Sequence, residues 1–428
     1  MSSRNKTIAN NEEATTALEP KRRFPEFRGA ALRSVRLGDV TEEGRLRNGK
    51  KHSVASVMGV TKANGIVPME ARLIAADIER YKIVEHDWFA YNPMRLNIGS
   101  IARWEGESEI LVSPDYVVFK CITDDESGIA PGYIDHFRQT KAWEDFVTEG
   151  GDGGVRVRIY YKDIARLQLG LPSLPEQKKI AECLSSVDEL IAAQARKVDS
   201  LRTLKRGLMQ QLFPREGETQ PRLRFPEFQD AGDWEEKRLE DLTKRGSGHT
   251  PSKSNPEYYN GGIKWVSLAD SKRLDGGLIA ETAIEISEQG IQNSSAVLHP
   301  AGTVLISRDA GIGKSAVMDV PMAVSQHFIA WTCNPCMLFN WFLYHLLQNS
   351  KPLFERAATG STIKTIGLQF FVDLVFRIPS LPEQQRIAHC FTSLDDLITA
   401  QSDKLNALRA YKRGLMQQLF PSTIEASI

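Results

Sequence analysis

Apolar side chains recur at alternating steps of four and three residues through Ile180, Leu184, Val187, Ile191, Val198, Leu201 and Leu208, with Gln194 and Lys205 taking the polar places in the series. The same rhythm returns at Ile387, Phe391, Leu394, Ile398, Leu405, Leu408 and Leu415, with Gln401 and Lys412 in the matching polar places. Such alternation keeps one stripe of a helix turned to a partner and predicts a coiled-coil seam. Each stretch opens on Pro-Glu-Gln (Pro175, Glu176, Gln177; Pro382, Glu383, Gln384) and closes at Phe213-Pro214 or Phe420-Pro421. Proline suits a first helical turn, where its missing N–H has no partner to lose, and it stops a helix at the far end. Each helix is therefore expected to span about 38 residues, a rod of roughly 55 Å.

The two stretches are copies. Residues 171–214 and 378–421 share 28 of 44 aligned positions at a constant offset of 207. PKRRFPEF at 20–27 likewise returns as PRLRFPEF at 221–228. Between these anchors similarity nearly vanishes, apart from VSPDYVVFKC at 112–121 against VSQHFIAWTC at 324–333, preceded by Ile98-Gly99 and Ile312-Gly313. The expected plan is a flexible arm (1–23), a globular domain (24–170), a helix and linker (171–222), a second domain (223–377), a second helix (378–421) and a tail (422–428). Joining the C-terminus to the N-terminus would recreate the internal linker, so the organisation reads as circular and pseudo-twofold. The simplest pairing of the two helices is antiparallel. Near-identical outward residues, such as Lys205-Arg206-Gly207 and Lys412-Arg413-Gly414, suggest that both copies meet identical partners.

Composition adds little. Lys plus Arg (54) equals Asp plus Glu (54), so any nucleic-acid surface must come from local segregation of charge. Five cysteines in 428 residues do not read as a disulfide framework. The polar N-terminus and the lack of an 18-residue apolar run exclude a signal peptide or membrane span, and the expected location is cytoplasmic.

Candidate catalytic motifs fail one by one. Ser307-Arg308-Asp309-Ala310-Gly311-Ile312-Gly313-Lys314-Ser315 approximates a P-loop, but Arg308 stands where the first glycine is required. Asn92-Pro93-Met94 lacks the second proline and the aromatic of an adenine-methylase motif. Cys333-Asn334-Pro335-Cys336 has no second ligand pair for zinc and reads as strand core. No metal site and no catalytic constellation is expected. A glycine-rich turn carrying Arg308 and Lys314 could instead approach a DNA backbone or base edges.

The repeats beginning L-P-x-Q-x-x-I (Leu174 to Ile180 and Leu381 to Ile387), each following a variable domain, resemble those of type I restriction–modification specificity subunits. The segments 246–270 and 293–317 resemble that family's target-recognition domain, and 90–102 with 112–119 resemble another version of it. The resemblance implies an α+β chain with two mixed α/β recognition domains, held apart by antiparallel coiled-coil helices. Each domain would read one half of an interrupted site in double-stranded DNA. It implies as partners two modification (methyltransferase) subunits and ATP-dependent restriction subunits. S-adenosylmethionine, ATP and Mg2+ would belong to those partners, with no cofactor and no catalysis in this chain. The expected DNA-contacting positions are Ser247, Gly248, Thr250, Ser252, Lys253, Ser307, Arg308, Gly311, Gly313 and Lys314 in the second domain, and Asn92, Arg95 and Ser100 in the first. The first domain lacks the Thr250-Pro251-Ser252 loop.

Overall fold

The computed structural model describes residues 19–123, 127–149, 158–360 and 364–421. The tail and most of the expected N-terminal arm lie outside them. The chain divides into two compact units, 1–194 with 404–428, and 195–403. Each unit thus holds one globular domain and one half of each long helix.

The first unit runs β1 (Arg33–Arg36), β2 (Thr41–Glu43), β3 (Met58–Thr61), β4 (Gly65–Pro68), β5 (Lys82–Val84), β6 (Phe89–Tyr91), β7 (Ile101–Arg103), β8 (Ile110–Val112) and β9 (Val117–Cys121). Helices α1 (Pro131–Phe137), α2 (Lys141–Glu149) and α3 (Tyr161–Ile164) follow, then β10 (Gln168–Leu171) and the start of α4 (Leu174–Leu212). The central antiparallel sheet has the order β2-β9-β6-β7, and β1 pairs with β10. Strands β6 and β9 alternate little because both faces are covered: Phe89, Tyr91 and Phe119 fill one side, Ala90 and Val118 the other.

The second unit runs β11 (Glu235–Arg238), α5 (Leu239–Leu242), β12 (Thr243–Ser247), β13 (Tyr259–Val266), β14 (Leu278–Ile279), β15 (Ile284–Ile286), α6 (Glu288–Gln292), β16 (Val304–Ser307), β17 (Ser315–Met318), β18 (Ala323–Val324) and β19 (Phe328–Cys333). Then come α7 (Asn340–Asn349), α8 (Lys351–Ala357), α9 (Leu368–Val372), β20 (Val375–Ile378) and α10 (Leu381–Leu419). Its main sheet has the order β12-β19-β16-β17-β14, and β11 pairs with β20.

The domains are therefore copies as well, where sequence similarity had all but gone. Dropping β14 leaves the order β12-β19-β16-β17, which is β2-β9-β6-β7 of the first unit. Thr41 stands opposite Cys121 as Thr243 stands opposite Cys333. Thr41 Oγ1 donates to the Leu37 carbonyl at 2.7 Å, and Thr243 Oγ1 to the Leu239 carbonyl at 2.8 Å. A sheet order survives sequence drift because it asks only for apolar side chains of suitable size in the core. Cys336 departs from expectation: it is exposed beyond the end of β19, whereas Cys333 is largely buried and its thiol is pushed up to about 12 by desolvation.

The long helices run antiparallel, with residues 174–194 beside 404–419 in the first unit and 195–212 beside 381–403 in the second. None of the seam positions named above is exposed. In the first unit Ile180 and Leu184 enter the domain core with Leu419 and Phe420, and in the second Ile387 and Phe391 do so with Leu212 and Phe213. The polar seam lysines find carboxylates on the opposite helix, Lys412 with Asp188 and Lys205 with Asp395. The circular reading has a direct counterpart in the backbone. Arg22 N–H donates to the Gln418 carbonyl at 2.9 Å, repeating the donation of Leu223 N–H to the Gln211 carbonyl at 3.0 Å.

The joint between domain and helix is built twice from the same parts. Gln177 is fully buried; its carbonyl accepts Ala130 N–H at 2.8 Å while its amide donates to the Gly128 and Pro172 carbonyls. Gln384 repeats this with Phe339 N–H, Met337 and Pro379. Beside them Glu176 pairs with Arg23 and Glu383 with Arg224, both carboxylates 1% exposed. The Pro-Glu-Gln opening of each helix is thus a docking device as well as a first turn.

Candidate nucleic-acid interface

Strand register decides which loops share an end of each sheet. In the second domain Ser247 lies opposite Ile329, Ser307 opposite Phe328, and Ile306 opposite Ser315. Three segments therefore emerge side by side at that end: 248–254, 308–314 and the turn 325–327. In the first domain Tyr91 lies opposite both Val117 and Ile101, so the loop 92–100 and the turn 113–116 emerge together at the corresponding end. Every expected DNA-contacting residue falls in or beside these segments.

What the side chains do there is uneven. Arg308 is directed inward: its Nε donates to the Ile366 carbonyl at 3.0 Å, and its backbone exchanges with Ile366 and His327. Lys314 Nζ donates to the Ser271 carbonyl at 3.0 Å. Ser307 is buried, its hydroxyl 3.4 Å from the Ala310 carbonyl. Ser100 is buried too, donating to the Val60 carbonyl at 2.8 Å. These groups hold the loops in shape. Gly311 and Gly313 have φ of 86° and 77°, which let the turn close so tightly that Gly313 N–H reaches the Ser307 carbonyl.

The segment 248–254 is pinned from beneath. A side-chain carbon on Gly248 would sit 1.7 Å from the Val324 carbonyl oxygen, and His249 N–H donates to that same oxygen at 3.1 Å. Thr250 Oγ1 donates to Gln326 Oε1 at 2.6 Å, and Ser252 pairs with Ser254 at 2.7 Å. Lys253 is exposed. Ser247 ends β12, which places its backbone at the start of this segment.

In the first domain Asn92 closes an Asx turn, its Oδ1 accepting Met94 N–H at 3.0 Å. Arg95 projects, flanked by Met94 and Ile98, which are 52% and 54% exposed. The stem of exposed Lys62 lies against Gly99 of the same loop.

A cleft of about 630 Å³ beside the loop 308–314 carries Lys314, Lys351 and Lys364 against Asp275, Asp309 and Glu355. The charges of these six side chains balance. Among the described residues no group of three or more His, Cys, Asp or Glu could hold a metal, and no helix is long and apolar enough to cross a membrane.

Several residues that sequence reasoning missed stand out in the structure. Gln326 and His327 occupy the turn between the two loops of the second domain, and His327 Nδ1 pairs with Asp309. They sit inside the VSQHF echo, but a turn leaves no periodic signal. His136 and His345 occupy equivalent places at the two domain–helix joints, within 3.1 and 3.5 Å of Ser185 and Thr392. Their flanking sequences differ, so nothing in the chain pairs them before folding.

The family model for the type I restriction modification DNA specificity domain matches residues 231–410. A Methanocaldococcus jannaschii chain, named for the specificity subunit of the type I restriction enzyme MjaX, is 24% identical over 358 residues, covering 81% of this chain and 80% of that one. A solved type I restriction-modification S subunit from M. genitalium has a TM-score of 0.58 at 13% identity, over 95% of this chain and 100% of that one. A solved chain from a study of complex assembly and conformational transition of the type I R-M system has a TM-score of 0.55 at 17% identity, over 92% and 99%.

Proposed function

We propose that this chain is a specificity subunit of a type I restriction–modification system, a non-catalytic DNA-recognition component, and that its two sheets each read one half of an interrupted DNA site. The observation that carries this reading is the pairing of a repeated frame with unrepeated loops. Sheet order, helix joint and seam recur in both units, while 92–100 and 308–314, at equivalent sheet ends, share little beyond Ile98-Gly99 and Ile312-Gly313. A frame that is copied and loops that are not are what two readers of different half-sites require.

The energetics favour two readers over one. A well-made base contact discriminates by about 1–3 kcal/mol, so a small domain reading a few base pairs is weakly selective against a whole genome. Joining two readers through helices of fixed length adds their selectivities and sets the gap between half-sites. The repeated outward helix residues then dock two methyltransferase subunits, which bring S-adenosylmethionine. ATP-dependent restriction subunits, with Mg2+, complete the complex, and the assembly acts on DNA in the cytoplasm.

The test is to co-express the full chain with its methyltransferase subunits and sequence the methylated sites. A two-part, non-palindromic motif with a fixed gap is expected. Methylation without a motif, or a complex with no preference among duplexes, would reduce the chain to a scaffold.

A further inference from the structure

We propose that the turn Gln326-His327, held from either side by Thr250 and Asp309, is the base-reading element of the second domain and takes a base-pair edge of duplex DNA. This rests on the reading above and names the residues that carry it out. Of the cations first expected to do so, Lys314 Nζ is held by the Ser271 carbonyl and Arg308 is anchored through Nε to the Ile366 carbonyl. In the turn, each of the two side chains has one end anchored and one end open, as Arg308 also has.

Gln326 is exposed, and its carbonyl accepts the Thr250 hydroxyl at 2.6 Å. The carbonyl keeps a second lone pair and the amide keeps both donors, the set that matches an adenine edge. His327 is 30% exposed. Because a carboxylate only accepts, Nδ1 carries the hydrogen donated to Asp309, and Nε2 is left without a partner among the described residues. Asp309 is itself fixed by Thr365 Oγ1 at 2.8 Å, with the Arg308 guanidinium 4.0 Å away. The backbone of the turn is held too: Arg308 N–H donates to the His327 carbonyl at 2.9 Å, and the 248–249 segment lies on Val324. Side chains fixed before binding lose little freedom on meeting DNA, which favours reading over mere attachment. Asp309 is a positioning residue in this scheme, since it acts only through His327.

The experiment offers the full chain, co-purified with methyltransferase subunits, a randomised duplex DNA pool and sequences what is retained. Wild type should return two fixed half-sites. Gln326→Ala and His327→Gln should each return the first half-site unchanged and lose about tenfold preference at a base pair of the second, with the salt dependence of binding unaltered. Asp309→Asn should lose preference at the same base pair as His327→Gln, and combining the two should add nothing. Gln326 is exposed, so its truncation tests the idea even where an Asp309 variant fails to fold. Folded Gln326 and His327 variants that return the wild-type second half-site, or that change the first, overturn the assignment. A wild-type complex that returns no half-site at all overturns the parent reading instead.

Discussion

Lys412 Nζ lies 2.7 Å from a carboxylate oxygen of Asp188, joining the end of α10 to the start of α4 across the seam. Lys205 and Asp395, each 207 positions away from Asp188 or Lys412 in the other copy, are joined in the same way at 2.5 Å. A lysine at a seam position breaks the apolar stripe, and its partner on the facing helix explains why it is tolerated there. Asp188 is 42% exposed, so solvent screens the pair. A double-mutant cycle with Asp188→Asn and Lys412→Met should give a coupling of about 0.5–1 kcal/mol in denaturant unfolding, shrinking as salt is raised. A coupling that salt leaves unchanged would contradict a screened pair.

Gln177 and Gln384 are expected to be far more costly to replace. Each satisfies one backbone N–H and two carbonyls in a buried joint, and leucine would leave all three without partners. Gln177→Leu or Gln384→Leu should cost about 3–5 kcal/mol in urea unfolding. A loss below that of an ordinary surface substitution would show that the joint is not what holds domain to helix.

Gly248 has no room for a methyl group against the Val324 carbonyl. Gly248→Ala should push the 248–254 segment off the 324–327 turn, with a cost of about 1–3 kcal/mol in stability. The same variant should weaken selection of the second half-site and leave the first intact. Equal loss in both half-sites would point to general unfolding, which a thermal melt would reveal.

His345 gives a pH prediction. Burial, reinforced by the Lys205 charge, holds its pKa down at about 3, against 6.5 for a free imidazole. The folded state therefore keeps the ring neutral while the unfolded chain takes up a proton. Stability from this group is complete above about pH 6.5 and falls as pH drops toward about 3, at up to about 1.4 kcal/mol per pH unit. His345→Gln should flatten that part of the stability–pH curve, measured by urea midpoints across the range. His136 is shifted in the same direction by burial and by Lys412, so the double variant should flatten it further.

The duplication, the two helices and their ends were legible because each leaves a linear trace. A seam shows as a 4–3 rhythm, a helix start as Pro-Glu-Gln, a helix stop as proline, and a copied frame as identity at constant offset. The failed motifs were legible for the same reason, since a P-loop needs glycine at one numbered place and Arg308 occupies it. What only the tertiary structure decided was the use of each polar side chain. Arg308 and Lys314 looked like free cations in the chain, yet the fold turns both toward carbonyls supplied from other parts of the second domain, at Ile366 and Ser271. The Glu176–Arg23 and Glu383–Arg224 pairs join residues more than 150 positions apart. The common sheet order of the two domains also waited for the structure, because a strand's neighbours are chosen by backbone hydrogen bonds that carry no side-chain signature. Periodicity along a chain reports which face of an element is apolar; which donor meets which acceptor depends on segments that only folding brings together.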